Sequence, residues 1–254
     1  MMLSPHVTAE RSTLYGGDHM LLNDADNIIC YTNNPTLYSD IGAFRVYSGS
    51  TKVWERSRVL PSGFTATNGY YMNRAPINTH FKSNSGILKV EADVTVASID
   101  ATMSIIGGYN SEPYSTSRPS HGIYVEPGDE VNAAWVVAYI FDPNQGYKDA
   151  AVKINITRYL NIQATISEKE INVSCQGKSL PRPYLDEYRP ISREIWIGSN
   201  GDPVHGEKIQ YLTGTIHTMK LYDDTALRRD FVPVKRNSDG QEGLFDFMTR
   251  KFYH

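Results

Sequence analysis

Two carboxylates at alternate positions, Glu91 and Asp93, are the nearest this chain comes to a hydrolytic centre. Glycoside hydrolysis uses a pair of carboxyl groups, one acting as acid and the other as nucleophile or base. On a strand, Glu91 and Asp93 project from one face. However, Val94, Thr95 and Val96 follow, and no further acid completes the arrangement. Solvated strand-face charge is the plainer account of both residues. The histidines (His6, His19, His80, His121, His205, His217 and His254) have no zinc-ligand spacing, and each reads as a turn or surface residue. No G-x-S-x-G elbow is present, and Gly107-Gly108 lacks the lysine and helix of a phosphate loop. Catalysis is therefore not expected. Among cofactors none is called for, with calcium as the alternative: Glu126, Asp129, Asp142 and Asp202 are loop-like acids offering the hard oxygen ligands that ion prefers, but no dense Asp/Asn ladder joins them.

Sugar binding has the firmest physical motive. Sugar C–H faces stack on aromatic rings, and hydroxyls seek Asn, Asp and Arg partners. Trp135 and Tyr139 fall on one side of a single apolar segment, and Trp196 lies opposite Ile195 and Ile197 on the non-core side of its own strand. Asn200 and Asp202 follow in a loop. These five residues form the candidate carbohydrate site. The competing account packs the same rings beneath a loop, the N-terminal segment or a neighbouring subunit.

The elements that must carry these side chains are strands. In 87–97, Leu88, Val90, Ala92, Val94 and Val96 alternate with Lys89, Glu91, Asp93 and Thr95, a period-two pattern that cannot form a helix stripe. Val152, Ile154 and Ile156 alternate likewise, as do Leu160, Ile162, Ala164 and Ile166, then Ile171, Val173 and Cys175. Ser167 to Glu170 and Gln176 to Lys178 are the connecting turns. The segment 134–141 is apolar on both faces, so it is either covered twice or presents an aromatic surface. Further strands are expected at 102–109, 194–198, 212–222, 229–234 and 244–253. Helical periodicity is missing, which predicts an all-β fold of antiparallel sheets, a sandwich or a barrel. The first sixty residues differ: 1–34 has weak periodicity, and 44–54 reads as a hairpin about Ser48-Gly49-Ser50.

With 254 residues and net charge −3, the chain suits one large β domain plus a small appendage. The acidic balance and scattered Lys and Arg argue against nucleic acid as partner. No stretch approaches 18 apolar residues, so membrane insertion is not expected. Met1 to His6 lacks the charged and apolar regions of a secretory leader. Cys30 and Cys175 lie far apart, and the alternation makes Cys175 a buried, inert thiol. Asn155-Ile-Thr157 and Asn172-Val-Ser174 match the glycosylation sequon inside expected strands, where chance is the simpler explanation.

The C-terminal half also carries a resemblance. Ile195 to Asn200, Lys220-Leu221-Tyr222-Asp223, Arg229-Asp230-Phe231-Val232-Pro233 and Gly243-Leu244-Phe245-Asp246, closing on Lys251-Phe252-Tyr253, resemble a concanavalin A-like, laminin-G-type domain of bacteriophage structural proteins and gut-bacterial surface proteins. Leu60-Pro61-Ser62-Gly63-Phe64 is similar to the family's lead-in. Val46 to Glu55 is similar to short segments of phage tail and fibre proteins. The resemblance covers about residues 60–254. It implies a jelly-roll sandwich over 60–254, behind an attachment or oligomerisation segment at 1–59. It further implies a non-enzymatic virion protein (tail, fibre or capsid decoration), with other virion proteins as partners and a homotrimer as the default assembly. Such a protein would bind host-surface glycan; a bacterial cell-surface or secreted location is the runner-up. The fold's laminarinase-like members carry an E-x-D-x-x-E strand that Glu91-Ala92-Asp93 does not complete. A hydrolase of the same fold and a purely architectural sandwich are the rival readings.

Overall fold

A computed structural model describes the backbone of 11–15, 19–24, 27–31, 45–48 and 51–55, and residues 60–254 except 109–119, 131–132, 143–145, 156–158, 168, 184–193 and 201–209. Two compact units divide at 59/60. In the first, β1 (Arg11–Tyr15), β2 (His19–Asp24), β3 (Asn27–Tyr31), β4 (Arg45–Ser48) and β5 (Thr51–Glu55) form one sheet in chain order. The β4–β5 hairpin was expected. The three strands within 1–34, where periodicity was weak, were not.

The second unit is an antiparallel β-sandwich, with no helix among the described residues. Its strands begin with β6 (Phe64–Ala66), β7 (Tyr70–Asn73), β8 (Ile77–Asn78), β9 (Leu88–Val96), β10 (Met103–Gly107) and β11 (Ser120–Pro127). Then come β12 (Ala133–Asp142), β13 (Gly146–Asn155), β14 (Tyr159–Ile166), β15 (Glu170–Cys175) and β16 (Lys178–Pro183). The chain closes with β17 (Trp196–Ile197), β18 (Thr213–Asp223), β19 (Ala226–Arg236), β20 (Glu242–Asp246) and β21 (Lys251–Tyr253). The smaller sheet has six strands in the order β13-β12-β11-β10-β17-β8. The larger has ten, with β16-β15-β14-β9-β18-β19-β20-β21 as its path, β6 beside β19 and β7 beside β18.

Period-two alternation produces the core between them. Val90, Ile162, Val173, Leu221 and Phe231 from the larger sheet share one buried cluster with Ile106, Ile123, Val136, Ile154 and Ile197 from the smaller. Each full burial of such a side chain is worth about 1.5–3 kcal/mol. Cys175 joins this cluster as a free, buried thiol. The β15–β16 turn places Gln176 and Gly177 at φ 53° and 74°. Two positive φ values are the mark of a type I′ hairpin, which is why a glycine sits there.

Three expectations need correction. The stretch 244–253 is two strands, not one, because Asp246 turns the chain. Its carboxylate accepts from Met248 N at 3.0 Å and Thr249 Oγ1 at 2.7 Å, and Arg250 N reaches back to Asp246 O. His121 is neither in a turn nor at the surface: it lies in β11 on the core side, opposite Ile140, and is 1% exposed. The strand at 194–198 shrinks to Trp196–Ile197.

Candidate ligand-binding face

Directly paired residues on neighbouring strands point to the same side of a sheet. Across the smaller sheet one such rung reads Asn78, Trp196, Gly107, Gly122, Tyr139, Asp149. Adjacent members of β12, Val136, Ala138 and Ile140, are core residues, so this rung faces outward. Trp196 and Tyr139, expected on non-core faces from separate segments, thus share one surface, about 14 Å apart across three strand spacings. Trp135 lies on the same face four residues along β12, flanked by Glu126 and Lys153.

The two central positions are glycines for steric reasons. A Cβ on Gly122 would stand 2.6 Å from Ile106 O and 3.0 Å from the Tyr139 ring. On Gly107 it would meet the Asn200 backbone at 2.4 Å. Gly107 therefore makes room for the loop that brings Asn200 over the sheet beside Trp196. There Asn200 Oδ1 accepts from Gln210 N at 3.1 Å, so its carbonyl shapes the loop. Asp202 lies outside the described residues.

Tyr139 is part of a ring cluster. Its centroid is 5.7 Å from Tyr124 and 5.6 Å, stacked, from Tyr147. The Tyr124 and Tyr147 hydroxyls meet at 2.9 Å, bridging β11 and β13 across β12. As a result Tyr139 is only 9% exposed, while Tyr147 is 48% exposed. The ring offered to a visitor is Tyr147, with Tyr139 as its support. Burial, and then the bond to Tyr124, pushes the Tyr147 hydroxyl far above the ordinary phenol range, so it stays protonated.

Polar groups border the rings. Arg182 reaches from β16 and donates from one guanidinium nitrogen to Asp149 O at 2.8 Å and Oδ1 at 2.7 Å. Lys153 Nζ sits 5.8 Å over the half-buried Trp135 ring and binds Glu130 at 2.6 Å. Burial raises the Glu126 carboxyl, with Asp149 and then Asp129 adding to the effect. Of the calcium candidates, Glu126 and Asp129 are near enough to repel, but no group of three or more His, Cys, Asp or Glu able to hold a metal occurs among the described residues. The Asp142 side chain and Asp202 lie outside them.

The acids Glu91 and Asp93 are on the other side of the sandwich, outward on β9. Glu91 faces Lys220 at 3.6 Å. Burial would raise the Asp93 carboxyl, but bonds from Asn161 at 2.6 Å, Thr218 at 2.9 Å and Tyr159, with the nearby His217, hold it below the usual carboxylate range. A group held ionised in this way is a poor general acid.

Tyr124 and Tyr147 escaped the sequence reading. Tyr147 continues the outward alternation of Asp149, Ala151 and Lys153 backwards toward Gly146. Tyr124 and Glu126 alternate with Ile123 and Val125 in a strand that was not anticipated at all.

No family model matches the chain, and no curated protein does. Among solved structures, it is similar to domains LG4-5 of the mouse laminin α1 chain, at 12% identity and a TM-score of 0.39 over 67% of this chain and 44% of that one. It is similar to the CBM40 of Ruminococcus gnavus IT-sialidase bound to α2,3-sialyllactose, at 11% identity and 0.44 over 63% and 92%. It is also similar to tailspike protein 2 of an Escherichia coli O157:H7 bacteriophage, at 7% identity and 0.49 over 69% and 27%. The chain thus spans under half of the laminin chain and 27% of the tailspike.

Proposed function

We propose that residues 60–254 form a non-catalytic carbohydrate-binding sandwich, and that glycan docks on the outer face of the smaller sheet. One observation carries this reading: Trp196, Tyr139 and Asp149 share a single outward rung, beside the half-exposed Tyr147 and the Asp149–Arg182 pair. Rings for stacking and a charge-assisted donor–acceptor pair for hydroxyls are the two requirements of sugar recognition. The resemblance of the C-terminal segments to phage structural domains supports an adhesive or decorating role on a virion, with the 1–59 unit for attachment and a homotrimer as the assembly. Several weak sites on one particle would then act together.

Glycan-array binding by the full chain, compared with Trp135→Ala/Tyr147→Ala and Trp196→Ala, tests the site. Loss of binding at least tenfold is expected, in variants that keep the far-ultraviolet circular dichroism spectrum and a cooperative melt of the folded chain. Retained binding in all variants would place the ligand elsewhere, and no binding by the wild type would leave an architectural sandwich. New reducing ends on incubation with the bound glycans would make it a hydrolase instead. Light scattering on the purified chain checks the trimer.

A further inference from the structure

The outer face of the larger sheet holds a groove of about 450 Å³ that none of the aromatic residues above touches. Its floor follows from the register. One rung reads Ser179, Ser174, Gln163, Glu91, Lys220, and the next Asn172, Thr165, Lys89. The apolar residues between them, Val90 and Ala164, face the core. Every side chain lining the floor is therefore a hydroxyl, an amide or a charge.

Along these two rungs the charges are balanced: Lys89 meets Asp224 at 3.3 Å and Glu91 faces Lys220 at 3.6 Å. Lys178 belongs to neither rung: it pairs with the core residue Cys175, and its ammonium donates to Lys153 O at 2.8 Å. No hydrogen bond among the described residues engages the side chains of Gln163, Thr165 or Ser174. The groove thus presents uncommitted neutral donors and acceptors inside a neutralised frame. A polyanion finds no net positive field there, and an apolar ligand finds no apolar floor.

The same face continues along the strands. Asn161, Asp93 and Thr218 form the next rung beyond Gln163 and Glu91. Asp93 is fixed there as an acceptor by its two neighbours. After it comes the rung Tyr159, Thr95, Thr215, Tyr71. Its two tyrosines are 51% and 56% exposed, which makes them among the most exposed large rings described. They stand about 14 Å apart over a threonine floor, and six residues, about 20 Å, from the Thr165 rung. A register shift between Ile216 and Thr218 inserts His217 as a bulge. Its Nδ1 donates to Asn68 O at 2.7 Å, and its ring packs 5.7 Å from Tyr159. Bulges commonly re-aim a side chain in this way.

We propose that this face is a second binding site, separate from the first, for a neutral polyhydroxylated chain lying along β9 and β14 with its end stacked on Tyr159 or Tyr71. It rests on the reading of the domain as a sugar binder, but on none of the same residues. The test is calorimetric titration of the full chain with neutral oligosaccharides (malto-, cello- and mannohexaose). The variants are Gln163→Ala/Asn172→Ala, Tyr71→Ala/Tyr159→Ala and Trp135→Ala/Tyr147→Ala, each checked for an unchanged far-ultraviolet circular dichroism spectrum and a cooperative thermal melt. The two larger-sheet variants are expected to weaken at least one hexaose tenfold or more, while Trp135→Ala/Tyr147→Ala still binds it. That result supports the second site even if the first face binds nothing. Binding untouched by both larger-sheet variants, equal loss in all three, or no hexaose binding by the wild type would each overturn it.

Discussion

Consider Asp223→Asn. The Asp223 side chain is 5% exposed, and its Oδ1 accepts from Ser83 Oγ at 2.7 Å, Asn84 N at 3.1 Å, Ser85 N at 2.9 Å and Ser85 Oγ at 2.6 Å. These bonds tie residues 83–85 to the end of β18, next to Leu88, where β9 begins. Burial would raise this carboxyl, yet the bonds from Ser85, Ser83 and the backbone bring it from 3.8 down to about 2. That difference corresponds to about 2.5 kcal/mol of folding free energy at neutral pH. Asparagine keeps one acceptor and loses the charge, so a loss of roughly 2 kcal/mol is expected, or about 4–8 °C in melting temperature for a domain of this size. The sign is fixed by the depressed value. The stabilisation is complete above the ordinary carboxylate range and disappears as pH falls from about 4 to about 2, with about half remaining at pH 3. Urea unfolding in a Trp54→Phe background, where fluorescence reports only Trp135 and Trp196, should show the gap between wild type and variant narrowing over that window. A gap that is the same at pH 7 and pH 3, or no gap at pH 7, would refute the reasoning.

Gly122→Ala should cost roughly 1–3 kcal/mol through overpacking against Ile106 O and the Tyr139 ring. Gly63→Ala, with nothing within 4 Å of the added carbon, should stay within about 0.5 kcal/mol; thermal melts of the two decide it, and equal stability would mean the ring does not rest on Gly122. Cys175 is 1% exposed, and burial raises its thiol to about 11 despite a backbone bond involving Asn161. Its alkylation at pH 8, followed by mass spectrometry, should therefore be slow until urea is added, and native labelling at the rate of a free peptide thiol would contradict its place in the core.

Strands with one wet face were legible in the sequence because burial there enforces strict alternation. That describes β9, β14 and β15, and the fold class followed from them. Where both sides are covered or both are open, the signal vanishes. Residues 120–123 of β11 are all buried and include Ser120, His121 and Gly122, whereas every residue of β16 is exposed. Strands as short as β8, Ile77–Asn78, cannot show a period at all. The candidate site was legible only within a strand. Parity placed Trp135 and Tyr139 on one side of β12, but bringing Trp196 onto that side needed the strand order and two glycine positions between them. The groove posed the opposite problem: its residues read correctly as a wet face, and concavity is a property of the assembled sheet.

The two faces also differ in what binding would demand of them. On the smaller sheet, Tyr147 is held by stacking on Tyr139 and by the hydroxyl bridge to Tyr124, so its ring is fixed before any ligand arrives. Tyrosine has few rotatable bonds, and a fixed ring loses little entropy on contact. In the groove, Gln163 is exposed and uncommitted, and ordering each such side chain costs about 0.5–1.5 kcal/mol. Where Asp93 is clamped between Asn161 and Thr218, that cost has already been met in folding. A ligand on the larger sheet should therefore gain most along the Asp93 and Tyr159 rungs and least at the Gln163 end. Its affinity should rise with chain length until the ligand reaches the two tyrosines, about 20 Å away. On the smaller sheet a short ligand already meets the preorganised ring, and further length adds little.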